Sequence, residues 1–316
     1  MTDFTPSASM DALAARARLL GLIRDHFAHT GAMEVETPLL SAAGNSDPGI
    51  EQVGAGERWL RTSPEYAMKR LLSAGSGDIY ELGRVFRAGE AGRRHNPEFT
   101  MLEWYRVGGS LERLMEETAA LVSACGAAFG HAWPVSTLAY GDWLQASAGI
   151  DPHRADAPTA RACVAAHDIA IDGLEAFDRD TCLDLLVTHV AEAALPADAI
   201  TLVHDYPASQ AALARLDDGD PPVARRFELY LGQVELANGY LELTDAVEQR
   251  ARFEAENRRR QAAGQPVRPL DERLLAALAA GLPDCSGVAL GVDRLLMACL
   301  GVASIRDVIA FPGDLA

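Results

Sequence analysis

The chain has 316 residues, with 45 acidic against 28 basic side chains, a formal charge of −17 and 49% hydrophobic composition. That is ordinary globular composition with enough length for a sizeable core, so intrinsic disorder and collagen-like repeats are excluded. A charge of −17 disfavours nucleic acid as the main partner unless a local basic patch is present. The longest apolar runs, such as Leu274–Leu282, reach about half the ~20 residues of a membrane span. Asp3 and Asp11 lie ahead of any apolar stretch, against a signal peptide. Cys125, Cys163, Cys182, Cys285 and Cys299 are scattered with no CxxC pair, which predicts reduced thiols of a cytoplasmic protein rather than a disulfide framework or zinc site.

Residues 1–9 read as a loose tail, and an apolar stripe at Leu13, Ala17, Leu20, Ile23 and Phe27 predicts a helix over Met10–Thr30, stopped by Gly31. In MEVETPLL, Pro38 prevents a central strand from continuing. A short strand at Trp59–Thr62 and a helix Glu65–Ser73, entered through Pro64, come next. Ile79–Phe86 and Glu98–Arg106 alternate as the two strands of an antiparallel hairpin with the long loop Arg87–Pro97. Residues 111–216 read as mostly helical. Strands are expected around Asn238–Gly239, then helices Ala246–Ala263 and Asp271–Ala280, a Gly-rich turn, and a last helix opening near Gly291. The chemistry-bearing segments flank the helical middle, which predicts one domain over 1–316 with a helical insertion at about 107–225.

Asn-Gly between two alternating runs is a strong type I′ hairpin signal. A turn at Asn238–Gly239 would set Glu235 directly opposite Glu242, where like charges destabilise a sheet unless a cation bridges them. Two hard oxygen ligands suit a Mg²⁺ that also holds substrate phosphates; the alternative is a pair on a solvated face. The loop Arg87–Pro97 carries Arg87, Arg93, Arg94 and His95, and arginine suits bidentate phosphate binding. On the return strand Phe99, Met101, Glu103 and Tyr105 share a face, offering a stacking ring, a carboxylate and a phenol. The alternatives are a solvated loop tip and a core-facing strand. Ser63-Pro64-Glu65 puts a carboxylate at a helix start, which the helix dipole alone would explain. Gly287 and Gly291 permit close backbone approach ahead of the helix bearing Arg294, a possible anion site. GxxxxGK[ST], GxSxG, HExxH and the dinucleotide fingerprint are all absent from the sequence.

In order, GAMEVETPLL, RTSPEYAMKRLL, GRVFRAGEAGRRHNPEFTMLEWYR, VELANGYLELTDAVEQRARFE and CSGVALGVDRL resemble the catalytic core of class II lysyl-tRNA synthetases, from about Gly31 to Phe311. Motif 1 would end at Pro38, motif 2 would be the Arg87 hairpin, and motif 3 would carry Arg294. The resemblance implies an α+β fold: a six- or seven-stranded antiparallel sheet flanked by helices, with the insertion between motifs 2 and 3. About 30 residues precede motif 1, enough for a helix and too few for an anticodon-binding OB barrel. That pattern is similar to the stand-alone elongation factor P–(R)-β-lysine ligase family. Ala289 stands where glycine is expected in the tRNA synthetases, a change that would reshape the amino-acid pocket.

The resemblance implies that Arg87 holds the ATP α-phosphate and Arg294 the γ-phosphate, as the catalytic pair. It also implies Asn96 and Phe99 on the adenine side, Gly291 in the nucleotide loop, and Glu235 with Leu236 lining the ATP site. Glu235 and Glu242 would share Mg²⁺. Ser63, Pro64, Glu65, Tyr105 and Glu242 would bind the amino acid, (R)-β-lysine or L-lysine, whose two ammonium groups suit acidic side chains. Gly89 stands where the family often has a glutamate, with Glu90 one step on. The implied activity is ATP-dependent adenylation of the amino acid and its transfer to a lysine of elongation factor P. The implied protein is a cytoplasmic homodimer without membrane contact, with tRNA disfavoured as partner. Two rivals are a truncated lysyl-tRNA synthetase paralogue serving another acceptor and a non-catalytic regulatory paralogue.

Overall fold

The computed structural model describes residues 4–45, 49–262 and 264–316. Ser9 caps helix α1 (Met10–Thr30) by accepting from the Ala12 N–H, and Gly31 closes it at φ 80°. Four short strands follow: β1 (Met33–Glu34), β2 (Leu40–Ser41), β3 (Gly54–Ala55) and β4 (Arg58–Leu60). Then come α2 (Glu65–Ser73) and the hairpin of β5 (Ile79–Phe86) and β6 (Glu98–Val107). The middle of the chain holds α3 (Leu111–Ala128), β7 (Val135–Ala139), α4 (Tyr140–Ala148), α5 (Ala157–Ala166), α6 (Arg179–Leu186) and β8 (Ile200–Pro207). Last come β9 (Val223–Leu231), β10 (Val234–Leu241), α7 (Ala246–Ala262), α8 (Glu272–Gly281), β11 (Cys285–Gly291) and α9 (Val292–Leu300). No described helix is long and apolar enough to cross a membrane.

Two compact units form. The first comprises Met1–Ser110, Ala120–Ala132 and Glu242–Ala316, the second Leu111–Ala119 and Trp133–Leu241. In the first, the strand order is β1-β5-β6-β11, with β1 parallel to β5 and the other pairs antiparallel. Phe27 of α1 stacks on Tyr80 at 4.2 Å between ring centroids and meets Trp104 edge-on at 5.5 Å, anchoring the helix on the sheet face. In the second, the order is β10-β9-β8-β7, with β7 parallel to β8. Its core gathers Tyr140, Trp143, Leu144, Leu183, Leu186 and Tyr230.

Four expectations change. The sheet strands are mixed rather than wholly antiparallel, since β1–β5 and β7–β8 run parallel. The stretch 111–216 contains β7 and β8, whose short apolar runs have no period that separates strand from buried helix. Residues 285–291 form β11, not a Gly-rich turn, paired along its length with β6. Finally, Asn238–Gly239 is no turn: Asn238 pairs with Glu228 and Gly239 with Phe227, in the middle of β10.

The hairpin turn falls between Leu231 and Val234, where Gly232 has φ 57° and a Cβ would lie 2.4 Å from the Ala197 carbonyl oxygen. Only glycine fits there. Glu235 therefore lies opposite Tyr230, not Glu242, and a bulge follows between Glu235 and Ala237. Asn238 instead uses its side chain within the sheet, accepting from Arg226 Nε at 3.2 Å and donating to the Tyr240 hydroxyl at 3.1 Å.

Candidate active site

Strand β6 aims Glu103 and Tyr105 at one face by its period of two, and β11 lays Gly287 beside Tyr105 and Ala289 beside Glu103. Gly287 is required by packing: a Cβ would sit 2.3 Å from the Tyr105 ring and 2.6 Å from a Glu242 carboxylate oxygen. Ser63 precedes α2, with Pro64 in the cap position. The Ser63 hydroxyl accepts from the Glu65 N–H at 2.9 Å and donates to Glu103 Oε2 at 2.7 Å. Tyr105 donates to Glu103 Oε1, also at 2.7 Å. One helical turn beyond Glu65, Lys69 places its Nζ 2.6 Å from Glu65 Oε1 and 2.6 Å from Glu242 Oε2.

The group is deeply buried: Glu103 is 2% exposed, Glu242 1% and Lys69 1%. Three carboxylates and one ammonium leave a formal charge of −2 when all are ionised. Burial, then the Glu65 charge, pushes Glu103 up to about 7 despite the bonds from Ser63 and Tyr105. Burial also pushes Glu242 up to about 8, against the pull of Lys69 and with the push of Glu65. Burial opposes the Lys69 charge, but Glu242 and Glu65 overcome it and hold the ammonium above the ordinary lysine range. Burial and then Glu103 keep the Tyr105 phenol protonated. Burial thus holds Glu103 and Glu242 well above the ordinary carboxylate range.

Lys69 lies within the RTSPEYAMKRLL segment but was not among the sequence-predicted site residues; its i, i+4 spacing from Glu65 is the signal that would have found it. Replacing it by methionine leaves two buried carboxylates without their cation, and loss of one partner of a buried pair costs about 3–5 kcal/mol. The Lys69→Met variant is expected to lose up to about that much stability, more at pH 8 than at pH 6, because Lys69 is what lets the buried Glu242 ionise as pH rises. Denaturant unfolding at the two pH values checks both the size and the order.

A second set in the same unit is cationic. Arg87 opens the loop after β5, its backbone N–H bonded to Pro97 O at 2.9 Å, and its guanidinium carbon lies 5.2 Å from the Phe99 ring centroid. Its Nε is buried with no hydrogen-bond partner among the described residues. Glu90 reaches Arg87 at 3.5 Å, while Gly89 takes φ 76°, a conformation a glutamate would adopt only under strain.

Arg294 stands in the first turn of α9, just past Gly291 at the end of β11, and meets His95 Nε2 at 2.5 Å. Burial, then Arg294 itself, pulls His95 below the ordinary histidine range, so the neutral ring accepts from the guanidinium. Asn96 is buried, and its side-chain amide donates to Glu98 O and accepts from Gly313 N–H.

The first unit gathers Ser63, Pro64, Glu65, Tyr105 and Glu242 with Lys69 and Glu103, and it also carries Arg87, Phe99 and Arg294. Glu235 and the buried Leu236 belong to the second unit. The register that would set Glu235 opposite Glu242 does not occur, and the Glu242 carboxylate is ion-paired to Lys69. Among the described residues, no group of three or more His, Cys, Asp or Glu is arranged to hold a metal ion.

One unit thus carries a buried acidic cluster closed by Lys69 and, on the hairpin loop and the first turn of α9, the arginines Arg87 and Arg294. The sequence matches the tRNA synthetases class II (D, K and N) over residues 1–315, and the chain belongs to that family. It is 48% identical over 325 residues to the elongation factor P–(R)-β-lysine ligase of Proteus mirabilis (strain HI4320), covering 99% of this chain and 98% of that protein. It is also 48% identical over 321 residues to the protein of the same name from Salmonella gallinarum (strain 287/91 / NCTC 13346), covering 98% of each.

Proposed function

We propose that the chain is an ATP-dependent ligase that activates (R)-β-lysine as an aminoacyl-adenylate and transfers it to a lysine side chain of elongation factor P. The observation that carries this reading is the buried pocket of Glu65, Glu103 and Glu242 with Lys69, whose formal −2 matches the two ammonium groups of a lysine-like substrate. The names of the relatives support the acceptor and the β-amino acid. The methyl of Ala289 lies along β11 from Gly287 on the same face, narrowing the space beside Glu103.

In the first step the substrate carboxylate attacks the α-phosphorus of ATP and pyrophosphate leaves. Arg87 stabilises charge at the α-phosphate and Arg294 charge on the departing γ-phosphate end; positioning and preorganised cations suffice, and no side-chain nucleophile is needed. Phe99 offers the adenine a stacking face, with Asn96, Gly291, Glu235 and Leu236 as the remaining contacts the family implies. In the second step a neutral lysine ε-amine attacks the adenylate carbonyl, an amide forms, AMP leaves and the amine proton goes to solvent. In this reading Glu235 and Glu242 would be the residues to hold Mg²⁺, which would neutralise charge on the ATP phosphates. The protein works as a homodimer in the cytoplasm; the exposed Met33, Leu39 and Leu40 of the motif 1 segment support a self-contact.

Amino-acid-dependent ATP–pyrophosphate exchange tests the reading, with (R)-β-lysine, L-lysine and aspartate in parallel. Exchange is expected to be strongest with (R)-β-lysine and absent with aspartate, and addition of elongation factor P is expected to yield a modified lysine detectable by mass. Exchange with none of the three in folded protein would leave a non-catalytic paralogue. Exchange strongest with L-lysine and no transfer to elongation factor P would favour the truncated synthetase paralogue.

A further inference from the structure

The nucleotide-facing side chains stand on two separate elements, Phe99 on β6 and Arg294 on α9. The residues adjacent to them in sequence are tied together by a buried network that α1 completes. Asp293, 2% exposed, immediately precedes Arg294. Its Oδ2 accepts the backbone N–H of Thr100, the residue after Phe99, at 2.7 Å. Its Oδ1 pairs with an Arg16 guanidinium nitrogen at 2.6 Å. The other terminal nitrogen of Arg16 donates to Thr100 Oγ1 at 2.6 Å, and the first also reaches the Val308 carbonyl oxygen at 3.3 Å. One guanidinium therefore clasps the position after Phe99 and the position before Arg294, in a fixed planar fork that a lysine could not reproduce.

We propose that Arg16 is a positioning residue for ATP, holding the Phe99 and Arg294 sides of the nucleotide site in mutual register through Thr100 and Asp293. This rests on the reading of those two residues as nucleotide contacts. Asp293 alone could bond the Thr100 N–H, but without Arg16 it is a buried carboxylate lacking its cation, free to swing the first turn of α9. A displacement of roughly 1 Å at reacting groups costs about 10²-fold in rate. The bonds of the network run among Arg16, Thr100, Asp293 and Val308 rather than to Glu65, Glu103 or Glu242, so its loss should fall on ATP and spare the amino acid.

The experiment compares wild type, Arg16→Ala, Arg16→Lys, Thr100→Val and the control Arg18→Ala, an exposed arginine on α1 that lies over Phe129. ATP affinity is measured by calorimetry without amino acid, and KM for ATP and for (R)-β-lysine by pyrophosphate exchange. The expected result for Arg16→Ala is a loss of about 10²-fold in ATP affinity or kcat/KM for ATP, with KM for the amino acid near wild type. Arg16→Lys should recover part of it, Thr100→Val should show the same selectivity at smaller size, and Arg18→Ala should match wild type. Should Arg16→Ala not fold, Thr100→Val decides. Wild-type ATP parameters in a folded Arg16→Ala or in Thr100→Val overturn the proposal, as do equal losses for ATP and amino acid. A wild-type protein that binds ATP but exchanges with no amino acid would count against the ligase reading alone; the calorimetric comparison would still judge Arg16.

Discussion

Replacing Arg294 by alanine is expected to lower ATP–pyrophosphate exchange by about 10³-fold or more, the scale on which a single well-placed arginine acts in phosphoryl chemistry. The side chain stands in the first turn of α9, half-buried, with His95 against its guanidinium. In the proposed first step negative charge accumulates on pyrophosphate as it departs, and Arg294 is the residue the family pattern assigns to it. The fold should tolerate the change, because the buried residues of α9 are Val292, Asp293, Leu295, Leu296, Met297 and Cys299. Unfolding free energy should therefore stay within about 1 kcal/mol of wild type. A second readout follows from His95: with Arg294 gone, the imidazole loses one of the two main influences that hold it low, and its titration should move up toward the ordinary histidine value, short of it because burial remains. Wild-type exchange in this variant would remove Arg294 from the reaction.

Legibility in the sequence followed the range of the interactions involved. The helices Met10–Thr30 and Glu65–Ser73 and the hairpin after Ile79 could be read because their periodicity, caps and breakers lie within a few residues of one another. The Asn238–Gly239 turn failed for the opposite reason. Its local signal is strong, yet the turn is decided at Gly232 by a carbonyl of Ala197 that sequence spacing does not reveal. Strand β11 looked like a glycine-rich turn, because the need for Gly287 comes from the Tyr105 ring on another strand. Among site residues, the arginines and glutamates stood out by residue type and position, and their roles emerged through family resemblance. Lys69 and Arg16 did not: one looks like an ordinary helix charge, and the other meets Asp293 across 277 positions of chain.

Replacing Glu242 by glutamine is expected to weaken amino-acid binding by about 10²-fold, within the range for truncating one member of a buried charge pair, while leaving ATP affinity nearly unchanged in the absence of amino acid. The substitution keeps shape and removes one charge, so the pocket falls from formal −2 to −1 and one substrate ammonium loses its counter-charge. The pH dependence separates this from a packing defect. In the empty wild type, Glu103 and Glu242 keep their protons up to about 7 and about 8, whereas the unfolded chain has released them near 4.5. The native state then binds more protons, so stability from these groups is fully present below 4.5 and is lost as pH rises through about 7 and about 8. A bound diammonium ligand favours the ionised carboxylates, which reverses the sign for binding. Affinity should rise with pH across that interval, and calorimetry below it, in buffers of different ionisation heat, should detect protons released on binding. Glu242→Gln should flatten both trends, leaving the part due to Glu103. Unchanged amino-acid affinity in Glu242→Gln, or wild-type binding that is indifferent to pH from about 6 to about 9, would mean that the buried carboxylates are not what the substrate meets.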